Sequence, residues 1–373
     1  MKKIKNPLIK RYCDEHLHGV KHVTLNPKGP GAVRIHLVPS RNPEESDSIV
    51  ILNGSDMIPL NTSWSILLSN FIEEMNKFDG KKIGEDELEE VLVKTLKDTK
   101  KVYFLTKTKK FKEDLKNLLD TLIAIAYGED PKVDVGMLSI SEFAEKLTAP
   151  IRMDIMISSM SRSGKWNCNQ KCVHCYAAGQ HEAEVKECSK EEFFKIIDKC
   201  QKANIAELTF TGGEPTLNPH LVELVEYAKW FVTRLNTNGI NLTQTLCERL
   251  SKASLDAVQI TFYDVDPENH NLLVGGDHWE QTVSGIYNAL RAGLAVSINT
   301  PLCTINRDYV KTLEFLHTLG ITYVTCSGMI TTGNARKENS VNTQLTSEEL
   351  LEILRDASKY CEENAKVLNE FVL

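Results

Sequence analysis

From Pro150 to Cys326 the chain alternates short β-branched or aromatic runs with amphipathic stretches, and no other feature restricts its fold as strongly. The patterning predicts strands at residues 151–157, 206–211, 231–236, 257–263, 295–300 and 322–326. Helices are expected between them at 191–203, 220–228, 243–253, 279–292 and 309–319. Strands alternating with helices at this pitch form βαβ units, whose right-handed crossovers give a parallel sheet. Six units are too few for a full eight-stranded barrel, so an open or partial barrel is expected. In such folds ligands gather at the C-terminal ends of the strands.

The first 145 or so of the 373 residues have a different texture. Short strands are expected at 33–38 and 48–52, on either side of the turn-rich stretch Pro39 to Pro43. Asn61, Thr62 and Ser63 supply N-cap candidates for a helix carrying Trp64, Leu67, Leu68 and Phe71 at helical spacing. Further helices are expected at 85–96 and 115–125, with another strand at 102–105. Strands, helices and a β-wing in this order predict a winged-helix-like α+β domain over residues 1–145. The barrel would follow over 146–335, and a C-terminal helical segment over 336–373.

Three strand ends carry chemistry. After the first barrel strand, Cys168, Cys172 and Cys175 lie on one loop in a C-x3-C-x2-C pattern. Three thiolates so spaced can cap three corners of a cubane iron–sulfur cluster and leave its fourth iron open. With His174 they would instead make a three-cysteine, one-histidine zinc set, although adjacent His174 and Cys175 close a tetrahedron awkwardly. This segment alone leaves both readings open. The second strand ends in Gly212, Gly213, Glu214 and Pro215. Two glycines admit a ligand close to the backbone, and Glu214 offers an acceptor for an ammonium group. The third ends in Asn236, Thr237, Asn238 and Gly239, rich in hydrogen-bonding groups.

In that order and spacing, and with Tyr176 after the third cysteine, residues 149–334 resemble the radical S-adenosylmethionine (SAM) superfamily. The resemblance implies a partial (β/α)6 barrel and a four-iron, four-sulfur (4Fe-4S) cluster on Cys168, Cys172 and Cys175. The open iron would chelate S-adenosyl-L-methionine, whose reductive cleavage gives a 5′-deoxyadenosyl radical that takes hydrogen from a substrate. It would also place Tyr176 near the adenine, with Gly212, Gly213 and Glu214 at the amino group and Asn236 and Asn238 as further contacts. Gln259 and Thr261 on the fourth strand, with Ser297 and Asn299 on the fifth, are candidates for the ribose and carboxylate. Their alternative reading is polar fill of a strand interior.

The stretches around 294–306 and 327–335 are similar to the branch with a C-terminal SPASM or twitch region, which includes peptide and cofactor maturases. That similarity implies a precursor peptide or small-molecule substrate, a flavodoxin- or ferredoxin-type electron donor, and an N-terminal domain that grips a leader peptide by strand addition. The auxiliary-cluster cysteines of that branch are missing: beyond Ala335 only Cys361 occurs. The expectation is a chain cut short of that region, with a helix over 348–364 and the segment 367–373 that ends it as the lead-in. Cys303 and Cys326, at the ends of the fifth and sixth strands, are candidates for returning a hydrogen atom to substrate, as in peptide epimerases.

The remaining features exclude more than they assign. A net charge of −7 gives no electrostatic reason for nucleic-acid binding, and Lys107, Lys109 and Lys110 are interleaved with acidic neighbours. No apolar run approaches the roughly 20 residues that span a bilayer. The basic N-terminus, residues 1–5, precedes no apolar segment, so the chain reads as cytoplasmic. His16, His18 and His22 lack a carboxylate partner at helical spacing and make a weak metal site. A zinc-stabilised binding protein without catalysis is the alternative to an enzyme.

Overall fold

The structure, a computed structural model, describes residues 7–17, 19–25, 32–40, 47–54, 56–78, 83–133, 135, 138, 142, 149–159, 166–178, 186–203 and 205–364. The expected features at residues 1–5, His18, 41–43 and 367–373 lie outside these. Two compact units are present. One holds Met1–Met153, Phe194–Leu208 and Tyr227–Thr233; the other holds Asp154–Phe193, Thr209–Glu226 and Arg234–Leu373.

In the first unit, helix α1 (Pro7–His16) precedes strands β1 (Lys21–Leu25), β2 (Val33–Val38), β3 (Ser48–Leu52) and β4 (Asp56–Leu60). They form an antiparallel sheet in chain order. Asn53 (φ 49°) and Gly54 (φ 78°) turn β3 into β4, and an Asn-Gly pair adopts these positive angles readily. Helices α2 (Thr62–Asn76), α3 (Glu85–Val102) and α4 (Thr108–Ala126) follow. The Asn61 side chain caps α2 by accepting from the Trp64 N–H.

The strand expected at 102–105 is not formed. Val91, Thr95, Thr99 and Val102 make one buried stripe at helical spacing, so Val102 completes α3. Tyr103 to Thr106 then form a turn, with Phe104 and Leu105 exposed. The sheet is therefore complete before α2 begins, and among the described residues no wing strand is interleaved between α2, α3 and α4. The histidines also separate: His16 lies against Tyr12 on α1, while His22 is buried on β1 against His36. Among the described residues no three His, Cys, Asp or Glu side chains gather tightly enough to hold one metal ion.

Strands β5 (Arg152–Ser158), β6 (Glu207–Gly212), β7 (Val232–Thr237), β8 (Ala257–Thr261), β9 (Ala295–Pro301) and β10 (Tyr323–Ser327) form a second sheet. Each lies beside its neighbour in the chain, and β7 to β10 pair in parallel. This is the strand order of a partial (β/α)6 barrel. The connecting helices are α5 (Lys190–Lys202), α6 (Leu221–Tyr227), α7 (Gln244–Lys252), α8 (Pro267–Val274), α9 (Trp279–Arg291) and α10 (Tyr309–Thr318). Helix α8 was not expected, though its signals are in the sequence: Asp266 caps it, Pro267 opens it and Gly275 (φ 70°) ends it. After β10 come α11 (Glu338–Val341) and α12 (Ser347–Glu363). No helix among the described residues is long and apolar enough to cross a membrane.

Candidate active site

The parallel register sets out two polar rows on one face of the barrel sheet. Asn236 pairs with Gln259, Gln259 with Ser297, and Ser297 with Tyr323. Two residues further along, Thr261 pairs with Asn299 and Asn299 with Thr325. All are half-buried, while the residues alternating with them on β8 and β9 are buried. Successive side chains of a strand point to opposite faces, so the polar residues share the barrel's inner face. Thr325 Oγ1 donates to Asn299 Oδ1 at 3.0 Å across the upper row.

The same alternation corrects the expectation for Cys326. Next to Thr325, it points the opposite way and pairs with Thr300, which is fully buried and donates to the Phe262 carbonyl. Burial pushes the Cys326 thiol up to about 11. Cys303 does not face the polar rows either: it is fully buried in an apolar cluster with Tyr263, Leu273 and Val274. Cys172 packs against that same cluster.

At the C-terminal edge of the sheet the expected motifs come together. Glu214 N donates to the Asn167 carbonyl at 2.9 Å, and Gly213 N to the Ser158 carbonyl at 3.1 Å. A Cβ on Gly213 would lie 2.1 Å from the Asn167 oxygen, so only glycine fits. Gly212, at φ 149°, is also tight: a Cβ there would lie 2.7 Å from the Ser158 hydroxyl. The Ser158 hydroxyl is buried and has no partner among the described residues.

Glu214 is fully buried. Its Oε1 accepts from Thr216 N (3.0 Å), Thr216 Oγ1 (2.6 Å) and Thr237 Oγ1 (2.6 Å), and its Oε2 from Asn238 N (2.9 Å). Burial pushes its carboxyl up, while these four hydrogen bonds pull it down. The carboxylate thus ties the end of β6 to the end of β7, and Oε2 keeps a lone pair for a further donor. Asn238 is likewise engaged, donating through Nδ2 to Asn169 Oδ1 at 2.7 Å and lying 4.0 Å from the Cys168 sulfur. Thr216 reaches Glu214 from two residues away, whereas Thr237 and Asn169 enter this network through partners distant in the chain, which no local pattern announces.

All three motif cysteines are free thiols. Burial pushes Cys168 up to about 11, with Glu214 and Cys175 adding to the rise, and pushes Cys172 higher still, with Cys175 and Cys168 adding to it. Buried thiols of this kind ionise when a cation displaces their protons. Cys172 packs beside Tyr263, Leu273 and Val274. His174, the fourth ligand of the zinc alternative, holds Thr343 Oγ1 at 2.8 Å through Nε2. The Tyr176 ring is exposed.

Residues 167–316 match the family model of the Radical SAM superfamily. Over that stretch the chain is similar to radical SAM domains. Domains of this family belong to enzymes, and a 4Fe-4S cluster and S-adenosylmethionine are their cofactors. The residues present fit both: three free thiols on one loop, a glycine cradle without room for a Cβ, and an unpartnered buried hydroxyl beside it. The domain is 32% identical over 146 residues to a probable GTP 3′,8-cyclase of Methanococcus maripaludis, covering 38% of this chain and 49% of that protein. It is also 32% identical over 134 residues to a probable GTP 3′,8-cyclase of Pyrococcus abyssi, covering 35% and 43%. The chain spans about half the length of these relatives. In backbone it is similar to SuiB of Streptococcus suis bound to the precursor peptide SuiA, with a TM-score of 0.53 at 13% identity. That likeness covers 87% of this chain and 69% of SuiB.

Proposed function

We propose that the chain is a radical SAM enzyme that modifies a ribosomally made precursor peptide. Cys168, Cys172 and Cys175 hold the cluster. The backbone at Gly212 and Gly213, with the free lone pair of Glu214, receives the amino group of S-adenosylmethionine, and Tyr176 covers the adenine. Asn236, Gln259, Thr261, Ser297 and Asn299 take the ribose and carboxylate, with Asn238 fixing the loop beside them. When bound, these cofactors supply a 5′-deoxyadenosyl radical on reduction by a flavodoxin- or ferredoxin-type donor. The chain's own part is to orient the substrate over the polar rows and keep water out.

The peptide reading is supported by the backbone likeness to SuiB, which reaches 87% of the chain and so extends beyond the barrel. A four-stranded antiparallel sheet with β1 and β4 at its edges also supports it, since edges accept an added strand. Of the two, β4 is the more occupied: it contains Pro59, and its Met57 carbonyl accepts from Leu138 N.

The second reading is a small-molecule substrate such as GTP, favoured by the sequence identity within the barrel. The test is anaerobic turnover of S-adenosylmethionine with either a short peptide encoded beside this gene or GTP. The peptide reading expects the peptide to raise 5′-deoxyadenosine release and to change mass. Stimulation by GTP alone, with consumption of the nucleotide, would overturn it.

A further inference from the structure

The motifs at the strand ends account for one side of the cluster loop, but another part of the chain also grips it. Residues 332–343, which follow β10, run along the loop and donate to its carbonyl groups one after another. Asn334 Nδ2 donates to the Cys172 carbonyl at 3.1 Å, and Ser340 Oγ to the Val173 carbonyl at 2.8 Å. Asn334 N donates to the Cys175 carbonyl at 2.9 Å, and Thr332 Oγ1 to the Tyr176 carbonyl at 3.1 Å. The Thr343 hydroxyl donates to the Ser340 carbonyl at 2.7 Å, which leaves its oxygen to accept from His174 Nε2.

Close approach is built in at Gly333. At φ 57°, a Cβ there would lie 2.5 to 2.6 Å from the carbonyl oxygens of Cys175, Tyr176 and Ala178. On its other side the loop is held through its N–H groups: Lys171 N donates to the Val274 carbonyl (3.1 Å) and Val173 N to the Leu273 carbonyl (3.0 Å). A loop satisfied by α8 on its N–H groups and by residues 332–343 on its carbonyls has little freedom left, and its carbonyls meet few solvent partners.

We infer that residues 332–343 are a strap that fixes the cysteine loop, with Asn334 its principal positioning residue. Asn334 holds the carbonyl of one cysteine through its side chain and that of another through its backbone. The strap acts before any cofactor arrives and thereafter holds the thiolates in register with the cluster. This second role rests on the cluster reading proposed above; the first does not.

The test compares Asn334→Leu with Thr346→Ala. Thr346 caps α12 by accepting from Glu349 N and lies outside the strap. In the iron-free protein, Asn334→Leu is expected to speed amide hydrogen exchange roughly tenfold over residues 171–178 and nowhere else. After anaerobic reconstitution, the same variant should release iron to a chelator roughly tenfold faster. Thr346→Ala should do neither. Unchanged exchange in Asn334→Leu, or equal changes in both variants, overturns the inference. If Asn334→Leu does not fold, Ser340→Ala carries the same expectation with a smaller effect. Should wild-type protein take up no iron, the exchange experiment still decides the strap, and only the cluster reading falls.

Discussion

Strands β2 and β3 bury every residue, whereas β8 and β9 bury every second one along most of their length. An antiparallel sheet more often has one wet face, and a parallel one is more often dry on both, so each sheet departs from its type. In the first, Ile35, Leu37, Val50 and Leu52 enter one core with the helices. Val38, Ile49 and Ile51 enter another with Ala206 and Val232. In the second, half-buried amides and hydroxyls line the inner face. A strand whose two faces both meet apolar partners is scaffold, while a parallel strand that keeps a polar face has been left room for a ligand.

The comparison makes graded predictions. The largest effect should come from Gly213→Ala, whose Cβ has no space against Asn167. S-adenosylmethionine cleavage should fall at least roughly a hundredfold, since small displacements of positioning groups cost that much. Cleavage assays on folded protein check it, and wild-type rates would break the link between the glycine cradle and the cofactor.

A stability change without an activity change should follow Ile51→Ala. Loss of this buried side chain is expected to cost about 2–4 kcal/mol in denaturant unfolding, while cleavage per folded molecule stays at the wild-type rate.

The barrel also carries a pH signature. His270 is fully buried; its Nδ1 accepts from Tyr263 N, and its Nε2 has no partner among the described residues. Burial first, and His278 second, lower its pKa to about 4. The unfolded chain takes up this proton near 6.5, so it binds more protons than the folded state between pH 6.5 and 4. Stability should therefore fall as pH falls through that window, by about 3 kcal/mol in all. Unfolding curves at stepped pH measure this, and His270→Gln should flatten the slope.

The smallest effect is expected from Gly128→Ala. The residue has φ 70° but open space around it, so the cost is about 1 kcal/mol, with no change in cleavage.

The barrel was legible because it is built from local repeats. All six expected strands form within a residue or two of their predicted positions, because each βα unit declares its own strand and helix. The cysteine loop, the glycine pair and the polar positions of β8 and β9 were readable for the same reason. The N-terminal region was read less well. β1 and β4 are five residues each and went unpredicted, although Asn53-Gly54 announced the β3–β4 turn. Val102 to Leu105 looked like a strand because four apolar residues stood together, yet the helical stripe through Thr95 and Thr99 claimed Val102. Contacts between distant positions left no mark in the sequence. Nothing local in Thr237, Asn334 or Thr343 tells that they hold Glu214, Cys172 and His174.

The most direct measurement is anaerobic reconstitution of wild-type protein beside a variant with Cys168, Cys172 and Cys175 all changed to Ala. Wild type should turn brown, hold about four irons per chain and release 5′-deoxyadenosine from S-adenosylmethionine on reduction, while the variant folds but does none of these. A colourless wild-type protein that binds zinc, or a triple variant that keeps its iron, would contradict the account.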